Sequence, residues 1–147
     1  MRLAERTEPH RCTGVAAGRS LLLLAFVLAL PSFCAGVPSD VQIRDRAKIY
    51  LGDADRFSRP SVVTAAKVYA EISEYQEVRR RQLDRNDADY YVLMERAARK
   101  FRAALEEAAR AGGYDLVGEK GAVTRTEGAI PDLTEAAIEE VKKAQSS

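Results

Sequence analysis

The feature that most constrains the fold is a long amphipathic pattern that ends at two glycines. Between Asp87 and Ala111 apolar residues recur every three or four positions, the spacing that puts side chains on one face of a helix. The residues of this stripe are Tyr90, Leu93, Met94, Ala97, Phe101, Ala104, Leu105 and Ala108. Gly112 and Gly113 then end the helix, because glycine readily takes the left-handed conformation that helix C-termini commonly need. The sequence therefore predicts one long helix over residues 87–111.

A second helical pattern comes before it. Pro60 starts a new element, and Ser61–Val63 is a brief strand-like run. The apolar spacing then changes to that of a helix, with Ala65, Val68, Tyr69, Ile72, Tyr75 and Val78 on one face and Leu83 as a last apolar residue. Residues 84–87 are polar and turn-forming. Two helices joined by a short polar turn are expected to pack antiparallel, as a helical hairpin.

The C-terminal third predicts a small amount of sheet and a final helix. Tyr114–Val117 and Ala122–Thr124 have the character of two strands joined by a hairpin turn over residues 118–121. Asp132, with Glu135 three residues later, predicts a helix cap, and the apolar face of that helix is Leu133, Ala137, Ile138 and Val141. The expected fold class is α+β and mostly α: an antiparallel helical hairpin projecting from a small β body, with a short C-terminal helix.

Residues 38–59 give a weaker signal. Ser39 is a candidate cap for a short helix that ends near residues 52–55, although its apolar residues keep no clean period. Asp53 and Asp55 have the alternate spacing of a calcium loop. Phe57 stands where a third ligand is needed, and the glycine of the sharp turn is missing. A solvated turn is the interpretation that these residues favour.

The N-terminus has the character of an export signal. Four arginines precede Leu21–Leu30, an uncharged run of ten residues, whereas a membrane span needs about 20. The small residues Cys34, Ala35 and Gly36 predict cleavage after Gly36. An uncleaved anchor and lipidation at Cys34 are the alternatives, and Phe33 is a poor residue to precede a lipidated cysteine. The predicted organisation is a leader over 1–36, an extension over 37–60 and a folded domain over 61–147.

Loss of this leader would remove much of the chemistry available to the chain. Cys12, Cys34 and His10 are its only cysteines and histidine, so residues 37–147 exclude disulfides, thiolate chemistry, histidine acid–base catalysis and His/Cys metal sites. Residues 1–36 hold four Arg and two Glu, which leaves 19 basic and 20 acidic residues from the whole chain's 23 and 22. A near-neutral chain gives no argument for nucleic-acid binding, and no glycine run is followed by the Lys-Ser/Thr of a P-loop. The expectation is a protein that is not an enzyme and uses no cofactor.

Three sequence segments resemble the OmpH/Skp family of periplasmic chaperones. Lys67–Glu74 resembles the family's opening step from a strand into a helix, and Tyr114–Val117 resembles the strand after its second helical arm. Pro131–Thr134, followed by the apolar residues of the last helix, resembles the family's cap and C-terminal helix. The likeness spans roughly residues 61–143, with a predicted helical hairpin between its two ends.

The resemblance implies a periplasmic homotrimer in which strands join into a small body. Its helical arms would enclose unfolded outer-membrane or envelope proteins, without ATP and without a cofactor. The two arms expected here, about 20 and 25 residues at 1.5 Å per residue, would be roughly 30–37 Å long, shorter than the family's usual arms. The alternative is a structural protein of the cell envelope, tethered through its leader or Cys34, which oligomerises without holding clients. The sequence leaves the identity of clients open.

Candidate contact residues fall into three groups. A basic run near the hairpin tip consists of Arg79, Arg80, Arg81 and Arg85. It is a candidate contact for acidic client segments or lipid headgroups. The alternative interpretation is a solvated helix end whose charge is balanced by nearby aspartates. Aromatic residues are a candidate client surface, with packing between helices the favoured interpretation: Tyr69, Tyr75, Tyr90, Tyr91 and Phe101. The residues expected to form the oligomer body are Val62, Val63, Tyr114, Leu116, Val117 and Val123.

Overall fold

The computed structural model describes residues 37–146, which belong to one compact unit. The predictions for residues 1–36, including the export signal and Cys34, lie outside the described residues. About 51% of the described residues are helical and 19% are in strands or bridges. The expected α+β class with a majority of helix is therefore confirmed.

Within residues 37–146, five short strands form two small sheets. They are β1 (Val41–Ile43), β2 (Ile49–Leu51), β3 (Pro60–Val63), β4 (Leu116–Glu119) and β5 (Val123–Arg125), with a single 3-10 turn (Arg46–Lys48) between β1 and β2. One sheet is the antiparallel pair of β1 and β5. In the other, β4 lies in the centre, antiparallel to β2 and parallel to β3.

Two predictions about these strands were wrong. The expected hairpin between the two C-terminal strands does not form, because β4 and β5 belong to different sheets; an isolated bridge joins Lys120, just after β4, to Val123 of β5. The short helix expected after Ser39 is also absent, since residues 41–51 contain β1, the 3-10 turn and β2. Instead of pairing with each other, β5 pairs antiparallel with β1 and β4 pairs antiparallel with β2.

Four α-helices complete the described part of the fold: α1 (Ala65–Ala70), α2 (Ser73–Arg81), α3 (Ala88–Gly112) and α4 (Thr134–Ser146). The first predicted helix is divided in two at Glu71–Ile72. Ile72 has an extended backbone (φ −83°, ψ 123°) and a side chain with no exposed surface. Ile72 is therefore buried in the core, as its position in the apolar stripe predicted. It lies between two helices, however, and not within one.

The expected hairpin projecting from the strands is not confirmed. The helices α2 and α3 pack against each other, but α3 also packs along α4 and touches β2 and β4. Its buried residues all lie from Ala97 onward: Ala97, Phe101, Ala104, Leu105, Ala108 and Ala109. That part of the helix belongs to the core, and only the residues before Ala97 remain available for an arm.

The core lies on both faces of the strands β3 and β4. Val63 and Val117 face the helices, whereas their neighbours Val62 and Leu116 face a smaller cluster with Val41, Phe57 and Val123. Successive side chains of a strand point to opposite faces, so adjacent residues enter different clusters. Phe57 is only 1% exposed, and the segment before Pro60 thus packs with the segment after it.

The end of α3 and the start of α4 lie at the residues that predicted them. Gly113 ends α3 in the left-handed conformation, with φ 67°. At the start of α4, Oδ1 of Asp132 accepts hydrogen bonds from the backbone N of Thr134 (2.9 Å) and from its Oγ1. Thr134 Oγ1 in turn accepts from the backbone N of Thr64 (2.9 Å), which joins the start of α4 to the start of α1.

Candidate functional site

The first candidate site is the distal turn, residues 82–87, where α2 ends and α3 begins. Gln82 takes a left-handed conformation (φ 54°) that ends α2. Two aspartates hold the turn: Asp87 Oδ2 accepts from the backbone N of Asp84 (2.9 Å), and Asp84 Oδ1 accepts from that of Asn86 (2.7 Å). These local hydrogen bonds fix the turn.

The structure places all four candidate arginines on the surface near this turn, but only two carry ion pairs with other residues of the described chain. Arg81 donates to Asp89 Oδ2 at 2.6 Å, a contact that raises the pKa of Arg81. Arg80 pairs with Glu77. Arg79 and Arg85 make no ion pair within residues 37–146. The basic run is therefore half neutralised, and its free positive charge rests with these two residues.

Exposed apolar side chains lie beside the same turn. Tyr91 is 58% exposed and Val92 48% exposed. The hydroxyl of Tyr91 donates to the backbone carbonyl of Arg85 at 2.9 Å, and its ring meets Tyr90 edge-on at 5.4 Å. We call Arg79, Arg85, Tyr91 and Val92 the distal patch. It combines an aromatic ring, an aliphatic side chain and two arginines that make no ion pair within residues 37–146.

The other candidate aromatic residues lie in the packing between helices, as favoured from the sequence. Tyr69 stacks on Phe101 with ring centroids 4.6 Å apart, and Tyr75 lies 5.6 Å from Tyr69. Tyr50, from β2, meets Phe101 edge-on at 5.2 Å. Sequence reasoning missed Tyr50, because nothing in the local pattern links it to residues so distant in the chain.

Three of these rings, those of Tyr50, Tyr69 and Phe101, form the floor of a groove between β2 and α3, which we call the aromatic groove. Its volume is about 360 Å³, and Ala98, Arg99 and Arg102 of α3 line its wall. The Tyr50 hydroxyl donates to Glu119 Oε2 (2.9 Å), and the same oxygen accepts from the backbone N of Ala65 (3.1 Å). Burial and the neighbouring Glu119 raise the pKa of Tyr50 to about 12, so this hydroxyl stays protonated near neutral pH.

A smaller groove runs between α3 and α4. Its volume is about 260 Å³, and small apolar residues form its floor: Ala103, Ala104, Val141 and Ala144. Lys100, Glu107, Glu140 and Lys143 border it. The border of this groove therefore carries two basic and two acidic groups. Lys100 is also bound to Glu74 of α2 at 2.6 Å.

The residues expected to form an oligomer body are packed inside this one chain. Val62, Val63, Leu116, Val117 and Val123 are at most 5% exposed. Tyr114 is half-buried beneath the guanidinium of Arg59, which lies 5.4 Å from its ring centroid. These six side chains contact the chain's own core, so a contact between copies would have to use other surfaces.

The neighbouring Asp115 ties the loop before β3 to the end of α3. Its carboxylate accepts hydrogen bonds from the backbone N and Oγ of Ser58 and from the backbone N of Arg59, each at 2.8 Å. Burial by itself would raise the pKa of Asp115, but these hydrogen bonds outweigh it and hold the pKa below its usual value. The role of Asp115 in this arrangement is structural.

Within residues 37–146, no helix is both long and apolar enough to cross a membrane, and no group of three acidic, histidine or cysteine residues is placed to hold a metal ion. Comparison with protein-family models, curated proteins and solved structures finds no match to this chain. The distal patch and the aromatic groove are therefore judged on their own geometry.

Proposed function

We propose that this chain is an exported protein that holds unfolded outer-membrane or envelope polypeptides in the periplasm without ATP. The resemblance of its sequence to periplasmic chaperones supports the location and the activity. The structural observation that carries the proposal is the distal patch, where Tyr91 and Val92 are exposed beside two arginines that make no ion pair with the described residues. Exposed apolar side chains of this kind commonly mark interaction sites.

The proposed holding surface is a short antiparallel arm made of α2 and residues 88–96 of α3. Two ion pairs support the antiparallel direction: Glu74 at the start of α2 meets Lys100 in the middle of α3, and Arg81 at the end of α2 meets Asp89 at the start of α3, both at 2.6 Å. The nine residues of α2 give an arm of about 14 Å at 1.5 Å per residue. An arm of this length offers a surface rather than a deep cavity, and we propose that three copies combine their surfaces.

Each part of the distal patch has a physical role in this proposal. Tyr91 and Val92 provide apolar contact area for an unfolded chain, and a tyrosine does so at low cost in conformational entropy. Arg79 and Arg85 attract acidic client segments and accelerate their encounter with the patch. The same combination also suits anionic lipid headgroups, which makes a membrane surface a second candidate partner.

The test is suppression of aggregation of an unfolded outer-membrane β-barrel by the full chain, at near-stoichiometric amounts of trimer. We expect suppression by the natural protein and most of it lost in the double variant Tyr91→Ser/Val92→Ser. The matched control is Val37→Ser, which removes another exposed apolar side chain (43% exposed) far from α2 and α3 in sequence. Equal suppression by both variants would refute a holding role for the distal patch.

The charged part of the patch has its own test. Arg79→Gln/Arg85→Gln should slow client capture at low salt and converge with the natural protein at high salt, because exposed charges are screened. Arg44→Gln is the control, since Arg44 is exposed and makes no ion pair with the described residues. A loss that persists at high salt would contradict the electrostatic role.

The second candidate function is a structural envelope protein that oligomerises without holding clients. The shortness of α2 favours it, because an arm of about 14 Å encloses little volume. This alternative predicts trimers in light scattering together with no suppression of aggregation. Monomers at micromolar concentration would refute the trimer on which both candidates depend.

A further inference from the structure

We propose that the aromatic groove between β2 and α3 binds an extended polypeptide segment that carries an aromatic side chain next to a carboxylate. The inference rests on the proposed function, because it names the kind of client segment that the protein would hold. It concerns a site separate from the distal patch, made by residues that are distant in sequence and meet only in the fold.

The floor of the groove suits an aromatic side chain. Phe101 is 5% exposed at its base, Tyr69 lies stacked on it, and Tyr50 meets its edge at 5.2 Å. An aromatic cluster of this kind accepts a further ring edge-to-face or offset-stacked. The contact between the rings adds to the free energy gained from burial of apolar area. A volume of about 360 Å³ is at the small end of the range for binding pockets, and fits one aromatic residue with its neighbours better than a large ligand.

The border of the groove suits a carboxylate. Two arginines and one glutamate line it: Arg99 is bound to Glu95 one turn earlier, whereas Arg102 makes no ion pair with any described residue. One guanidinium is therefore left without a counter-charge beside an apolar floor. A guanidinium offers paired donors that match a carboxylate, so an acidic residue next to the bound ring supplies the missing partner.

The remaining side of the groove suits an extended backbone. Ile49 and Tyr50 of the groove belong to β2, which pairs with β4 on one side and with no other strand of the described chain. The opposite edge of this sheet is occupied, since Val62 of β3 exchanges backbone hydrogen bonds with Pro131 (2.9 Å) and Leu133 (2.8 Å). An open edge strand is a template for pairing with another extended chain. The occupant expected here is therefore a polypeptide rather than a small molecule.

The test measures binding of short labelled Ala/Ser peptides to the full chain by fluorescence anisotropy. A peptide with a central Phe-Asp pair should bind. Replacement of its Phe by Ala should weaken binding about tenfold or more, as for an anchor residue. Replacement of its Asp by Asn should weaken it about two- to fivefold, the range of an exposed ion pair. Equal affinity of all three peptides, or equally tight binding of free acetyl-phenylalanine, would overturn the proposed occupant.

Two pairs of variants locate the site. Ala98→Gln places a longer side chain on the groove wall, and Ala103→Gln makes the same change on the side of α3 that lines the other groove. Arg102→Gln removes the unpaired charge, and Arg96→Gln removes another exposed arginine of α3 that makes no ion pair with described residues. The first member of each pair should weaken peptide binding and the second should not. The reverse order, or equal effects, would overturn the assignment.

Peptide binding and client holding fail in different ways. Suppression of aggregation that survives Ala98→Gln, with no Phe-Asp peptide bound, would overturn the groove as a site and leave the holding function in place. A Phe-Asp peptide that binds the natural chain and loses affinity in Ala98→Gln, with no suppression of aggregation by either, would support the groove and refute the holding function.

Discussion

The two parts of α3, residues 88–96 and residues 97–112, have the same apolar spacing but different surroundings. From Ala97 onward six side chains are buried, because α1, α4 and the strands cover them. From Ala88 to Arg96 none is buried, and α2 is the helix that packs beside them. The apolar spacing of a helix therefore shows which face can be buried, whereas the neighbouring elements determine whether that face is buried. Residues 97–112 support the fold, and residues 88–96 leave side chains free for contact.

The largest expected effect comes from the same substitution made in each part of α3. Leu105 is 2% exposed, so Leu105→Ala should lower the free energy of unfolding by about 2–5 kcal/mol through lost burial and a residual cavity. Leu93 is only partly buried, and Leu93→Ala should cost about 1 kcal/mol or less. Urea unfolding measures both. Equal losses of unfolding free energy would show that the two parts of α3 are equally packed and would contradict the difference described above.

An intermediate effect is expected at Asp115, just after α3. Asp115→Asn weakens three hydrogen bonds accepted by the carboxylate, which should cost about 1–2 kcal/mol near pH 7. Since the folded pKa is lowered, the ionised carboxylate stabilises the fold above the unfolded pKa of about 4, and this stabilisation is lost as the pH falls through the folded value. The natural chain and the variant should therefore differ most near neutral pH and converge in acid.

Ser58→Ala provides the control for Asp115, because it removes one of the three donors and leaves the charge. Its unfolding free energy should fall by less than that of Asp115→Asn. A difference between Asp115→Asn and the natural chain that stays constant from pH 7 to acid would contradict the role assigned to the ionised carboxylate.

The smallest effect is expected where α2 ends. Gln82 and Gly113 both end helices in the left-handed conformation, with φ 54° and 67°. Only glycine takes it without cost, so Gln82→Gly should stabilise the chain by about 0.5–1 kcal/mol. Gly113→Ala should destabilise it by about 1–2 kcal/mol. Thermal unfolding compares the two, and a loss of stability in Gln82→Gly would contradict the strain assigned to the distal turn.

The features that the sequence predicted well are local ones. Gly113 and Asp132 marked the end of α3 and the start of α4 through backbone conformation and hydrogen bonds that involve only near neighbours. The break at Ile72 was not predictable, because an apolar residue at the right spacing is buried equally well in a helix or in a kink between helices. The divided helix depends on packing, which the spacing of residues does not describe.

The features that the sequence predicted poorly depend on distant partners. The runs that became β4 and β5 were recognisable, but their true partners, β2 and β1, are some seventy to eighty residues earlier. For the same reason Tyr50 was missing from the predicted aromatic set, although it meets Phe101 in the fold. The arginines of the distal turn were identified from the sequence, but only the structure separates Arg80 and Arg81, which are paired, from Arg79 and Arg85.

The pairing of the first strands with the last ones sets the order in which the chain can fold. Neither β1 nor β2 has a partner until residues 116–125 have been synthesised. Such non-local pairings form late, since closing a long loop precedes any gain from the contact. A chain that emerges N-terminus first therefore cannot close either sheet until residues 116–125 are present, because β4 and β5 supply a partner in each.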